Sequence, residues 1–273
     1  VWYVPEKVAA KRPLDWSGVG DGPVHVAFMR SAWEDDEALF ASLKSGKLQV
    51  SHGHLDSGSF IVESDGIRWA GDLGSEREIY DRGDSWRTSQ DSHRWKFFRA
   101  NNYGHNVLTI DGQLQRVKAP SPIIATGTGT SPFAVADLSC AYEGQAASVK
   151  RGIMMPGRKV VLVRDEVAGV EAGNVVGWNM MIRVDVELTE DGKTAVLRHR
   201  DETMTVKLLS PADATFEVMD AKPEMDIENP NDGWQRLVVD SVSSGAEQLI
   251  RVLFVPGETA VPELPAQALA SWE

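Results

Sequence analysis

The sequence predicts a mainly β protein: a large antiparallel two-sheet β-sandwich with one short helix. Three observations lead there. Short apolar runs rich in β-branched and aromatic residues recur along the 273 residues, turn residues bound each run, and only one segment has helical spacing. Strands that follow one another without intervening helices pair antiparallel and pack sheet on sheet.

The elements follow in order. Residues 1–23 read as a linker that leaves a missing upstream domain, because Lys7, Lys11 and Arg12 are interspersed with Pro5 and Pro13. This stretch has neither the apolar core nor the small-residue cleavage site of a secretory signal. The sandwich is expected over 24–273. Its first strand is VHVAFMR at 24–30. A helix is expected over 35–46, where Asp35 or Asp36 can cap, Leu39, Phe40 and Leu43 share a face, and Gly46 ends the run. Strands then follow at 59–64, 67–72, 106–112, 158–167, 175–184, 194–199, 203–210, 234–242 and 247–256. Asp65-Gly66 and the segment EDGKT at 190–194 are hairpin signals. The Pro-containing tail, VPELPAQALASWE, is expected along the surface.

Composition narrows the function classes. Hydrophobic residues at 42% and charged residues at 25% are ordinary for a chain with a sizeable core. Cys140 is the single cysteine, which excludes an intrachain disulfide framework and a Cys-rich zinc site. No apolar run reaches the roughly 18 residues that a membrane-crossing helix needs. A net charge of −12 makes nucleic acid and anionic membranes poor partners. The window 77–118 departs from that average, with eight Lys/Arg against five Asp/Glu. A local basic strip of this kind suits an anionic small molecule or polymer, or else a solvated, salt-paired loop.

Three motifs carry the chemistry. In SHGHLDSGSF, His52, His54 and Asp56 occupy alternate positions, and on an extended chain they would share one face. Imidazole and carboxylate suit a borderline metal such as zinc. The same residues could instead be a catalytic histidine beside a metal, or the polar edge of a strand. In RWAGDLG, Asp72 sits between Gly71 and Gly74, either as a site carboxylate or as a turn residue binding its own backbone. In RANNYGHNVLTIDG, His105 opens an apolar strand after Arg99, Asn101, Asn102 and Tyr103, a set that suits sugar or carboxylate recognition and also suits a turn. Geometry adds a condition. A straight strand would carry His54 about 15 Å past Asp72 at roughly 3.3 Å per residue, so the chain must bend near 56–58 for the two to meet.

Taken together, SHGHLDSGSF, WAGDLG, RANNYGHNVLTIDG and VVLVRDEV resemble the heparinase II/III-like family of polysaccharide lyases over roughly residues 24 to 170. The resemblance implies an N-terminal α/α toroid joined to a C-terminal β-sandwich, with this chain supplying the sandwich. It implies a metal, zinc, held by His54, Asp72 and His105 in a structural role. It implies His52 as the residue that faces substrate, acting as general base or acid with a tyrosine of the toroid; Tyr3 is the only tyrosine in 1–23. The partners implied are an acidic polysaccharide and the upstream helical domain, and the implied setting is periplasmic or secreted. Tyr80, Arg99, Asn101, Tyr103 and Arg116 are cleft candidates from position. Met180 and Met181 stand where relatives carry a tryptophan followed shortly by a histidine.

Two other readings compete. HGHLDS is similar to the histidine-rich nest of metallo-β-lactamase folds, but Ser57 stands where that nest has a histidine, and the alternating helices of that fold are missing. A non-catalytic carbohydrate-binding or structural sandwich is the other.

Overall fold

The computed structural model describes residues 15–18 (as backbone), 22–80, 85–118 and 120–272. The expected linker lies mostly outside these residues, apart from its strand at Asp15–Gly18. Strands β1 (Asp15–Gly18), β2 (Val24–Arg30), β3 (Phe40–Gly46), β4 (Phe60–Ser64) and β5 (Ile67–Ala70) form one antiparallel sheet in sequence order. The chain then lays down β6 (Leu108–Ile110), β7 (Ile123–Gly127), β8 (Phe133–Asp137), β9 (Ser148–Met154), β10 (Val161–Ala168) and β11 (Val175–Ile182). It continues through β12 (Asp185–Leu188), β13 (Thr194–His199), β14 (Glu202–Ser210), β15 (Phe216–Asp220), β16 (Gln235–Val242) and β17 (Gln248–Pro256). An eight-stranded sheet runs β12-β13-β14-β17-β10-β9-β8-β7, and a four-stranded sheet runs β15-β16-β11-β6.

The two smaller sheets meet along one edge. β6 pairs with β11 at Val176–Trp178, and farther along the same strand Gly71 N–H donates to Met181 O at 2.9 Å. The expected two-sheet sandwich is thus built from three hydrogen-bonded sheets, two of them joined edge to edge. The Phe60 ring centre lies 5.8 Å from that of Trp178 and 6.0 Å from that of Phe254, one residue from each sheet. Leu43, Trp69, Leu237, Val163 and Val252 are buried in the same core. Each such side chain contributes about 1.5–3 kcal/mol on leaving water.

The helix expected over 35–46 is corrected. Among the described residues no α-helix forms, and Phe40–Gly46 is strand β3, paired with β2 on one side and β4 on the other. Ala41, Leu43 and Ser45 point inward while Phe40, Ser42 and Lys44 are half-buried, a period of two. Pairing on both edges outweighs the weak helical spacing of Leu39, Phe40 and Leu43. Asp35 caps no helix; its Oδ1 accepts Glu37 N–H in a turn.

Candidate active site

The loop between β3 and β4 carries the first motif and is not extended. Gly53 N–H donates to Val50 O at 3.0 Å, closing a tight turn. A Cβ at Gly53 would stand 2.2 Å from Leu48 O, so only glycine fits there. His52 takes a left-handed backbone, φ 59°, at the exposed tip of this turn. Leu55 then drops into a buried cluster with Leu48, Ile79, Trp95 and Phe97, and its N–H donates to Ala100 O. Ser59 N–H donates to Asp56 O at 3.0 Å, with Gly58 at φ 91°, and this is the bend the sequence required. The alternating-face expectation is therefore corrected: Asp56 is turned into an ion pair with Lys44, while His52 and His54 stand in different surroundings.

The bend brings His54, Asp72 and His105 together. His105 Nδ1 lies 2.7 Å from Asp72 Oδ2, and the His54 and His105 ring centres are 5.1 Å apart. Asp72 Oδ1 accepts Gly74 N–H at 2.8 Å, so the carboxylate serves its own turn and the site at once. Burial, then the neighbouring positive His105, push the His54 imidazole down to about 3, which leaves it neutral near pH 7. Burial acts to lower His105 as well, but the Asp72 charge and hydrogen bond outweigh it and raise the imidazole above its ordinary value. Burial acts to raise Asp72, and there too the His105 charge and hydrogen bond win, holding the carboxyl well below the usual range.

Whether these residues suit a metal ion can be asked of the atoms themselves. Among the described residues no group of three His, Cys, Asp or Glu is disposed as a ready cage. The donor set of two imidazoles and a carboxylate is nevertheless the one zinc takes. His105 Nε2 is buried and finds no hydrogen-bond partner, an arrangement a bound cation would explain.

His52 faces outward from this cluster. Its Nδ1 lies 2.7 Å from the Tyr80 hydroxyl, and both residues are exposed. Tyr80 follows the 3-10 turn Arg77–Ile79, which buried Glu76 caps by accepting Glu78 N–H. Arg94 lies beneath, its guanidinium 5.8 Å from the Tyr80 ring centre and its Nε donating to Gly53 O at 3.0 Å.

Three buried polar groups that the sequence reading missed hold the loops in place. Asn106 Nδ2 donates to Phe60 O and Gly71 O, both at 2.7 Å, and its Oδ1 accepts Met181 N–H at 2.6 Å. One side chain thereby ties β4, the strand end before Asp72, and β11. Arg151 of β9 forms a two-pronged pair with Asp165 of β10 at 2.7 and 2.9 Å. Its Nη1 reaches out of the eight-stranded sheet to Gly58 O and Asn106 O, at 2.8 and 2.6 Å. Gln115 exchanges hydrogen bonds with both backbone groups of Ser57, and its Nε2 also donates to the Tyr142 hydroxyl at 2.8 Å. A charged pair inside apolar runs (the Arg151 of VKRGIM and the Asp165 of VVLVRDEV) was the available signal.

The remaining candidates are dispersed. Arg99 Nε donates to Asn231 Oδ1 at 2.7 Å and its Nη1 to Ser75 O. Asn101 caps the turn Asn102–Gly104 by accepting Tyr103 N–H. Tyr103 packs against Leu73, Phe98, Met181 and Ala221. Arg116 Nε donates to Glu143 O at 3.0 Å. Tyr3 of the linker, and Asp81, Arg82 and Asp84 of the basic window, lie outside the described residues.

Comparison with known proteins bears on the family and the fold. The heparinase II/III-like C-terminal family matches residues 26–234. Among solved structures, a heparan sulfate lyase HepC mutant from Pedobacter heparinus superposes with a TM-score of 0.65 at 15% identity, covering 92% of this chain and 37% of that one. The heparinase III-BT4657 gene product with methylated lysines gives a TM-score of 0.68 at 16% identity, covering 93% and 37%. A structure described as heparinase III gives 0.65 at 15% identity, covering 85% and 35%. No curated protein sequence matches the chain. The chain thus spans little more than a third of the length of these solved structures, whose likeness extends to the fold. With most of its length matched by the family, residues 26–234, the chain belongs to the heparinase II/III-like, C-terminal family.

Proposed function

We propose that this chain is the β-sandwich portion of a polysaccharide lyase that cleaves a uronate-containing, acidic polysaccharide by β-elimination. One observation carries the proposal. An exposed imidazole, His52, is hydrogen-bonded to a tyrosine hydroxyl beside a shielded two-histidine, one-carboxylate cluster. The similarity to structures titled heparan sulfate lyase and heparinase III supports the reaction class.

The reaction makes definite demands. The proton on the carbon next to the uronate carboxylate is removed, the bond from the adjacent carbon to the glycosidic oxygen breaks, a carbon–carbon double bond forms, and the leaving oxygen takes a proton. His52 is the group that takes or gives a proton here, since its exposed imidazole offers a ring nitrogen to the substrate. Tyr80 holds Nδ1, which leaves Nε2 for substrate and fixes the ring's direction. The second proton-transfer group, a tyrosine, and the other wall of the cleft belong to an upstream helical domain of a periplasmic or secreted enzyme. Zinc held by His54, Asp72 and His105 is part of the proposal; when bound, it supplies a structural tie that pins the His52 loop to two other segments. Neutral His54 and the unpaired His105 Nε2 suit them to bind it.

The test uses the protein with its upstream domain. Incubation with heparan-type glycans and with alginate should give ultraviolet-absorbing unsaturated uronate ends, lost in His52→Ala. Binding of these polymers without any unsaturated product would assign the chain to a non-catalytic carbohydrate-binding role instead.

A further inference from the structure

We propose that a second cleft, bounded by the β4–β5 turn, the β13–β14 turn and Trp234, is a subsite for the acid groups of an oligosaccharide. The cleft encloses about 600 Å³ and adjoins Asp72 at one edge. That volume is within the range of small-ligand sites. Arg30, Arg68, Arg183 and Arg200 line it in a chain whose net charge is −12.

The four arginines are not equivalent. Arg68 Nε bonds Glu63 Oε1 at 2.5 Å, and Arg30 is held by Ala32 O and by the rings of Trp33 and Phe40. Arg183 and Arg200 are exposed, and the Arg183 guanidinium stands 5.9 Å from the Trp234 ring centre. Arg200 sits at φ 56° in the tight β13–β14 turn, which places it at the hairpin tip.

Trp234 provides the second half of the argument. A Cβ at Gly71 would meet two atoms of its ring at 2.9 Å, so the glycine next to Asp72 is what lets the indole lie there. A half-buried indole thus stands next to the glycine before the site carboxylate and beside an exposed guanidinium. A guanidinium grips carboxylate or sulfate through two parallel N–H bonds. Three acids share the cleft. Glu63 is occupied by Arg68 and Asp72 by His105 and Gly74, which leaves exposed Asp36 as the opposing charge. The ligand class rests on the lyase reading above; the place and the residues rest on the cleft.

Calorimetric titration of the chain with three hexasaccharides tests this: an oligouronate, a sulfated heparan-type oligomer and a neutral glucan. Both acidic probes should bind, with affinity falling as salt rises, and their ranking tells carboxylate from sulfate recognition. The neutral probe should bind far more weakly. The double variant Arg183→Gln, Arg200→Gln should keep its unfolding temperature and lose about tenfold or more in affinity, as expected for charge-assisted hydrogen bonds. Arg183→Lys with Arg200→Lys should recover part of it. Unchanged affinity in the folded glutamine variant, equal binding of the neutral probe, or no binding by the native chain would overturn the proposal. The two readings fail separately. Unsaturated product with an unchanged KM in the glutamine variant would remove the cleft and keep the lyase. Arginine-dependent binding with no product from the protein carrying its upstream domain would do the reverse.

Discussion

His52 and His54 are two residues apart and live under opposite rules. His52 sits at an exposed turn tip with a left-handed backbone and one partner, the Tyr80 hydroxyl. His54 is shielded, neutral near pH 7 and set against His105. A left-handed non-glycine residue costs on the order of 1 kcal/mol, which the fold tolerates only where the surroundings fix it. The difference teaches that neighbouring positions of one motif answer to different surroundings: the His54 imidazole is half-buried against His105, and the His52 imidazole is held out to solvent beside Tyr80. Substitutions that erase the difference should damage stability, and substitutions that respect it should damage only activity.

The largest expected effect lies away from both histidines. Arg151→Met leaves the Asp165 carboxyl without its partner in the interior and frees Gly58 O and Asn106 O. Breaking one half of a buried pair costs about 3–5 kcal/mol, so urea unfolding should show a loss near the top of that range. Asn106→Ala comes next. It strands Phe60 O, Gly71 O and Met181 N–H, at about 1–3 kcal/mol for each group left unsatisfied and less where water enters. A denaturation midpoint equal to the native one would show that the edge-to-edge joint of the two smaller sheets does not depend on this side chain. His105→Ala should cost about 2 kcal/mol through the lost Asp72 contact. It should also abolish any metal stoichiometry measured by elemental mass spectrometry, which His52→Ala should leave intact. Metal retained without His105 would separate zinc from this cluster.

Much of the site was legible because it is written in residue types with few other uses. The family resemblance named His54, Asp72 and His105 as one cluster, and distance then required a bend near 56–58 for His54 to reach Asp72. What escaped notice was the support. Asn106 opens the strand expected over 106–112, and nothing local says that it donates to strands dozens of residues away. Gln115 looks like a loop residue and is in fact the pairing partner of Ser57. The helix expected over 35–46 failed for the same reason. Leu39, Phe40 and Leu43 fit a helix as a local pattern, whereas β2 and β4 on either side decide for a strand. Arg99, Asn101 and Arg116 show the converse, polar side chains suggestive of a cleft that are engaged with neighbouring backbone and loops.

The smallest stability effect gives the sharpest separation. His52→Gly removes a side chain from a left-handed position that glycine adopts freely, and that relief offsets the entropy glycine adds to the unfolded chain. The folded protein also loses one exposed hydrogen bond to Tyr80, which is worth little in water. The unfolding free energy should therefore change by no more than about 0.5 kcal/mol, the ordinary range for a surface change. Lyase turnover of the protein with its upstream domain should nonetheless fall about 10²–10⁴-fold, the usual contribution of a positioned acid or base. His52→Ala must hold the strained backbone without a glycine's freedom, so it should be slightly less stable than His52→Gly and equally inactive. If both variants turn over substrate like the native protein, His52 is a turn residue, and the exposed half of the comparison loses its chemical meaning while the buried half stands.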